Sequence, residues 1–110
     1  MREPIIFDIT IKAGADYAVD FVYEEDDGTP VSVEGWTAEA QLREFPEARD
    51  KHDFVCTADA DGFHLTMSHE ETAKIGYTRG VYDVFITAPD SSVREKLIQG
   101  RAMIIPEATR

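Results

Sequence analysis

The chain has 110 residues, and its 11 lysines and arginines against 22 aspartates and glutamates give a formal charge of −11. A hydrophobic share of 43% excludes a chain too polar to collapse, and the sequence contains no apolar run long enough to cross a membrane. The excess of carboxylates excludes nucleic acid as a direct partner, because binding to phosphates requires clustered cations.

Alternation of apolar and polar residues predicts three strands in the first half of the chain, over residues 5–11, 17–23 and 36–43. In the third strand, the residues of the expected buried face are Trp36, Ala38, Ala40 and Leu42. A tight turn at 26–30 follows the second strand, since Asp, Gly and Pro favour turns. The charged segment 45–53 follows the third strand and is the expected mobile loop.

Two further strands, over residues 54–58 and 63–67, are joined by an acidic turn, which predicts a hairpin. A single helix is expected over residues 69–75, where Ser68 and Glu71 have the spacing of a capping box. One short helix among many strands favours an all-β fold, an antiparallel β-sandwich with Greek-key-like connections, over a parallel α/β sheet.

The segment 80–87 is apolar at nearly every position, which predicts a central strand with both faces covered. The last strand region, 93–105, contains Gly100, and a glycine inside a strand predicts a bulge or a close backbone approach. The expected core includes Trp36, Leu42, Phe63, Leu65, Tyr82, Val84 and Ile86. These elements are expected to form a single domain over residues 1–110.

The sequence offers no pattern of catalytic or metal-binding residues. None of His52, His64 and His69 pairs with a cysteine at zinc-ligand spacing, and Cys56 is expected to be a small buried hydrophobic residue. Neither a Gly-x-Ser-x-Gly motif nor a phosphate-binding glycine loop is present. We therefore expect no enzymatic activity, no catalytic residues, no cofactor and no metal site, and we leave open whether an acidic turn binds calcium.

The acidity is concentrated in the first half of the chain. Residues 1–55 hold 5 lysines and arginines against 14 carboxylates, whereas residues 56–110 hold 6 against 8. A net negative surface keeps a small protein soluble and suppresses self-association. The alternative explanation of the acidity is that it forms a patch that attracts a basic partner.

Six segments, in this order, carry a resemblance to a known family: 11–17, 27–31, 33–43, 65–73, 80–84 and 97–110. The first of these segments reads IKAGADY and the fifth reads GVYDV. Together the segments resemble small phage and prophage structural proteins, which are similar in kind to the N-terminal domain of phage baseplate upper proteins. The resemblance implies an immunoglobulin-like β-sandwich.

The same resemblance implies a non-enzymatic virion structural protein of a tailed phage, made in the cytoplasm of the bacterial host. The start of the chain lacks the layout of a secretory signal, and no fibre shaft follows the domain, so we expect an adaptor or accessory subunit that docks on tail, baseplate or fibre. Its partners would be other phage structural proteins, with a homo-oligomer in the assembled particle and no membrane contact. The alternatives are a capsid decoration protein and a host-side acidic binding module or inhibitor.

Partner contacts are expected at Ile5, Ile6 and Phe7. Three consecutive apolar residues leave at least one side chain facing away from the core, and the open edges of a sandwich can be extended by a neighbouring protein. Ile6 is the sharpest candidate. The alternative is that the loop 45–53 covers the second face of this strand.

Overall fold

A computed structural model describes residues 4–109, which form two β-sheets and one short helix. The strands are β1 (Ile5–Ile6), β2 (Ile9–Lys12), β3 (Tyr17–Phe21), β4 (Thr37–Arg43), β5 (His52–Asp53), β6 (Val55–Asp59), β7 (Gly62–Met67), β8 (Arg79–Thr87) and β9 (Arg94–Ile105), and the helix α1 spans His69–Thr72. The expected fold class, an all-β sandwich with one short helix, is confirmed.

The larger sheet has the order β1-β9-β8-β4-β5, with β2 also paired to β9, and the smaller sheet has the order β3-β7-β6. Neighbouring strands are antiparallel, apart from β1 and β2, which both run parallel to β9 along the same edge. Ile5 is opposite Ile98, and Ile9 is opposite Ala102. The first and last strands of the chain are therefore neighbours.

The predicted strand over residues 5–11 is interrupted at Phe7 and Asp8, which separate β1 from β2. At this interruption, the backbone N–H of Arg101 in β9 donates to the Asp8 side chain, at 2.9 Å from Oδ1, instead of to a backbone carbonyl. A Cβ at Gly100 would overlap the carbonyl oxygen of Phe7. The close backbone approach expected at Gly100 is therefore present.

A bulge also occurs in β9, at a different residue. Val84 is opposite Ile98 and Phe85 is opposite Lys96, so Leu97 is the extra residue of β9. Leu97 and Ile98 are both buried although they are consecutive. The bulge thus lets one strand place two adjacent side chains in the core.

The core lies between the two sheets, where the inward-facing residues of both are buried. Six of the expected core residues are buried: Leu42, Phe63, Leu65, Tyr82, Val84 and Ile86. The expectation for Trp36 is wrong, because its side chain is only half-buried and packs at the margin against Tyr23, with ring centroids 5.5 Å apart. Trp36 precedes β4, and the fully buried Val33 occupies the core at this end of the sandwich.

The prediction that both faces of β8 are covered is wrong. Gly80, Tyr82, Val84 and Ile86 face the core, whereas the alternate residues Val81, Asp83, Phe85 and Thr87 are half-buried. The strand is central within its own sheet, but within residues 4–109 no third layer packs on the outer face. This face is open.

The helix α1 covers only the first part of the predicted segment 69–75. Ser68 caps it as expected, since its Oγ accepts a hydrogen bond from the backbone N–H of Glu71 at 3.2 Å. The buried Thr72 donates its hydroxyl to the carbonyl oxygen of Ala15 at 2.9 Å, which ties the helix to the turn before β3. No helix in the described part of the chain is long and apolar enough to span a membrane.

Candidate docking surfaces

An exposed apolar surface, which we call the apolar edge, lies along β1. Its members are Ile5, Ile6 and Phe7, which are 54%, 66% and 44% exposed, and Val22, which is 58% exposed. The Phe7 ring packs edge-on against Phe21, with ring centroids 5.6 Å apart. A cavity of about 150 Å³ lies between Ile5, Phe7 and Val22 on one side and the bulge of β9 on the other. The apolar edge thus contains the three residues predicted from the sequence and also Val22, which follows β3 and was not predicted.

Two strand edges meet at the apolar edge. The strand β1 pairs with β9 on one side, and the backbone N–H of Phe7 continues this pairing by donating to the carbonyl oxygen of Gln99 at 3.0 Å. On its other side, β1 has no partner strand within residues 4–109, and β3 is an outer strand of the smaller sheet. Unpaired strand edges are templates for adding another strand.

Ile6 points to the outer face of the larger sheet. Pro46, from the loop predicted to be mobile, lines the same groove, but Ile6 remains 66% exposed. The alternative that the loop 45–53 covers this strand is therefore not realised in the structure.

The outer face of the larger sheet forms a second surface, a groove of about 690 Å³ that we call the outer groove. Three cross-strand rows from β4, β8 and β9 form its floor: Arg43, Val81 and Arg101; Gln41, Asp83 and Gln99; and Glu39, Phe85 and Lys96. The polar Asp83 inside an otherwise apolar run was the sequence signal that this face is not buried.

Within the described part of the chain, two of the four cations that line the outer groove form ion pairs, and two do not. The Arg94 guanidinium lies 4.2 Å from the centre of the Phe85 ring and 3.8 Å from the Glu39 carboxylate, and Lys96 pairs with Asp83 at 3.5 Å. The row of Arg43, Val81 and Arg101 has no such ion pairs among residues 4–109. Arg43 donates to the Gln41 side chain at 3.0 Å and to the carbonyl oxygen of Ala48, and neither Arg43 nor Arg101 forms an ion pair with any carboxylate of residues 4–109.

One end of the sandwich, which we call the acidic end, is formed by the loops 22–36, 59–62 and 88–93. The loops are adjacent, because Val33 donates its backbone N–H to the carbonyl oxygen of Asp59 at 3.3 Å and Gly35 lies beside Pro89. They contain no lysine or arginine. Their carboxylates are Glu24, Glu25, Asp26, Asp27, Glu34, Asp59, Asp61 and Asp90.

The three histidines bind carboxylates from neighbouring elements. His64 bridges two strands, with Nδ1 2.7 Å from Asp20 Oδ1 and Nε2 2.9 Å from Asp59 Oδ2. His69 Nδ1 lies 2.9 Å from Asp16, and His52 Nδ1 lies 2.7 Å from Glu71. No cluster with the makings of a metal site occurs within residues 4–109. The histidines therefore act as ties between elements.

The remaining candidates for chemistry are occupied by local contacts. Burial raises the pKa of the Cys56 thiol, which keeps it protonated and weakly nucleophilic at neutral pH. In the acidic turns, Asp27 Oδ1 accepts the backbone N–H of Thr29 at 2.9 Å, and Asp59 Oδ1 accepts that of Asp61 at 2.8 Å. These are turn-stabilising contacts.

Comparison with known families identifies the group to which this sandwich belongs. Residues 3–104 match the model of the LtfC-like β-sandwich domain, a family with a phage association, whereas no curated protein matches the chain. The match covers nearly the whole chain and agrees with the sandwich fold and the phage resemblance of the sequence. The chain therefore belongs to the LtfC-like β-sandwich domain family.

Proposed function

We propose that this protein is a non-enzymatic structural subunit of a tailed phage, an adaptor that docks on tail, baseplate or fibre through its apolar edge. The phage association of the family supports the setting. The contacts of the histidines and of Cys56 support a structural role, because these groups tie elements together or are half-buried.

The observation that carries the proposal is the exposure of the apolar edge in a chain in which 30% of the residues are charged. Single exposed apolar residues are common, but Ile5, Ile6 and Phe7 are consecutive and have Val22 beside them. Complete burial of a fully exposed side chain of this kind is worth about 1.5–3 kcal/mol, and these side chains are already about half-buried, so each has a part of that free energy left to contribute to a complex.

The geometry favours an extended apolar segment of another virion protein as the partner. A strand added beside β1 would satisfy its free backbone groups, and alternate side chains of the added strand would reach the cavity beside Phe7 and Val22. In this mode the backbone supplies affinity, and the cavity supplies specificity.

Substitution of Ile6 by Asp tests the proposal. We expect Ile6→Asp to leave the free energy of unfolding within about 0.5 kcal/mol of the wild-type value, because the side chain is exposed, and to abolish incorporation into particles. Incorporation is measured by complementing a phage that lacks the gene and by probing purified particles for the protein.

The matched control is Val55→Asp, which introduces the same charge at a residue that is 63% exposed on β6. We expect this variant to enter particles as the wild type does. If Ile6→Asp is incorporated normally, the proposed contact at Ile6 is wrong. If it unfolds, Ile6 belongs to the core.

A further inference from the structure

We propose that copies of this chain bind one another head to tail, with the acidic end of one copy seated in the outer groove of the next. The inference rests on the proposed function in one respect, that many copies meet in one particle. Charge complementarity carries it, because the loops of the acidic end contain eight carboxylates and no lysine or arginine, while the outer groove holds two arginines that form no ion pair with a carboxylate of residues 4–109.

The two arginines have a defined spacing. Arg43 and Arg101 lie on either side of Val81 in one cross-strand row, so their Cα atoms are about 10 Å apart, twice the distance between neighbouring strands. Each guanidinium can bind a carboxylate through two parallel hydrogen bonds. The row therefore suits two carboxylates from one projecting loop.

One loop of the acidic end, residues 24–30, is already folded in the unbound protein. A backbone bridge joins Glu24 to Pro30, and Glu25 donates its backbone N–H to the carbonyl oxygen of Thr29 at 2.9 Å. Glu25 and Asp27 are exposed on this loop. Because the loop is already folded, its insertion into a groove loses little conformational entropy.

The acidic end cannot reach the arginines of its own chain. Thr37 begins β4 beside the acidic end and Arg43 ends it, and six residues of strand span about 20 Å. The contact must therefore join two copies. Because it uses two different surfaces, it repeats from copy to copy and produces a ring or a filament.

Ionic strength should affect this association in two opposite ways. At about 0.01 M salt, the screening length of about 30 Å exceeds the 24–26 Å width of the molecule, so repulsion between two copies of charge −11 dominates. At about 1 M salt, the screening length of about 3 Å weakens the contact itself. We expect association to be strongest near 0.1 M salt, as measured by sedimentation of the purified protein.

Charge reversal tests the pairing of the two surfaces. We expect Arg101→Glu and Glu25→Lys each to weaken self-association at least about tenfold, as a close charge pair would. An equimolar mixture of the two variants should associate, because each supplies the surface that the other lacks. The double variant should also associate, since its reversed charges again attract.

The matched controls are Lys74→Glu and Glu70→Lys, which make the same charge changes at exposed residues outside both surfaces. They should self-associate as the wild type does. The proposal is wrong if the wild type remains monomeric at all salt concentrations, if either reversal has no effect, or if the mixture stays monomeric.

A monomeric wild type that binds a polyglutamate peptide through Arg101 would show that the groove takes a different acidic chain, and it would also overturn the proposal. Particle incorporation is measured separately. A protein that enters particles through Ile6 but does not self-associate would leave the proposed docking function intact.

Discussion

At the residue scale, Val84 shows what one inward side chain contributes to this sandwich. It lies in the middle of β8 and has no exposed surface. We expect Val84→Ala to lower the free energy of unfolding by about 1–3 kcal/mol, because the variant loses apolar burial and leaves a cavity. Urea denaturation measures this difference. Val81→Ala, on the open face of the same strand, should have a clearly smaller effect, and equal effects would contradict the assignment of the two faces.

The alternation over residues 5–11 predicts burial correctly in β2 but not around β1. The period of two correctly places Ile9 and Ile11 in the core, but it also groups Ile5 and Phe7 with them, and both are exposed. The reason is the interruption at Asp8, where a side chain takes the place of a backbone acceptor. A contact of this kind depends on a residue 93 positions away, so no local pattern indicates it.

At the scale of elements, the histidine contacts tie strands and turns together, and they make stability depend on pH. Hydrogen bonds with Asp20 and Asp59 raise the pKa of His64, and a hydrogen bond with Asp16 raises that of His69. The same histidine contacts lower the pKa of Asp16 and Asp59. Folding therefore favours the charged form of each partner.

The two directions give stability an optimum. A raised histidine pKa contributes stability that is complete below about pH 6.5 and is lost as the pH rises through the raised value. A lowered carboxyl pKa contributes stability that is complete above about pH 4 and is lost as the pH falls. We expect the thermal unfolding midpoint to peak between about pH 5 and pH 6.5.

The variant His64→Gln identifies the group responsible, because it keeps a polar side chain that does not titrate. We expect the loss of stability above about pH 6.5 to become smaller in this variant. An unfolding midpoint that rises from pH 6 to pH 8 in the wild type would contradict the assignment.

Elements that depend on local contacts are predicted correctly from the sequence, whereas features that depend on how the sheets assemble are not. The hairpin of β6 and β7 and the capping of α1 by Ser68 follow from local chemistry, and both are present. The prediction for β8 fails because an apolar run indicates a central strand but does not tell whether a second layer covers its outer face. The outer groove and the acidic end arise from strand order and loop adjacency, which no single segment encodes.

At the scale of the whole molecule, β9 holds the larger sheet together, since it pairs with β1, β2 and β8. We expect removal of residues 94–110 to abolish the cooperative unfolding transition, because three strands lose their partner at once. Removal of residues 107–110 alone, which lie after β9, should leave a folded protein. Dispersed amide signals in the nuclear magnetic resonance spectrum of the first truncation would show that β9 is dispensable.

The parallel pairing of β1 with β9 also sets a time order during synthesis. The residues of β1 leave the ribosome before those of β9, and their partner in β9 follows about 90 residues later, which takes about 5–20 s. Until β9 arrives, Ile5 and Ile6 have no sheet to lie on, so the apolar edge has no fixed shape. A prematurely terminated chain thus lacks the surface that our proposal uses for docking, and on that proposal we expect incorporation only of chains whose translation has passed β9.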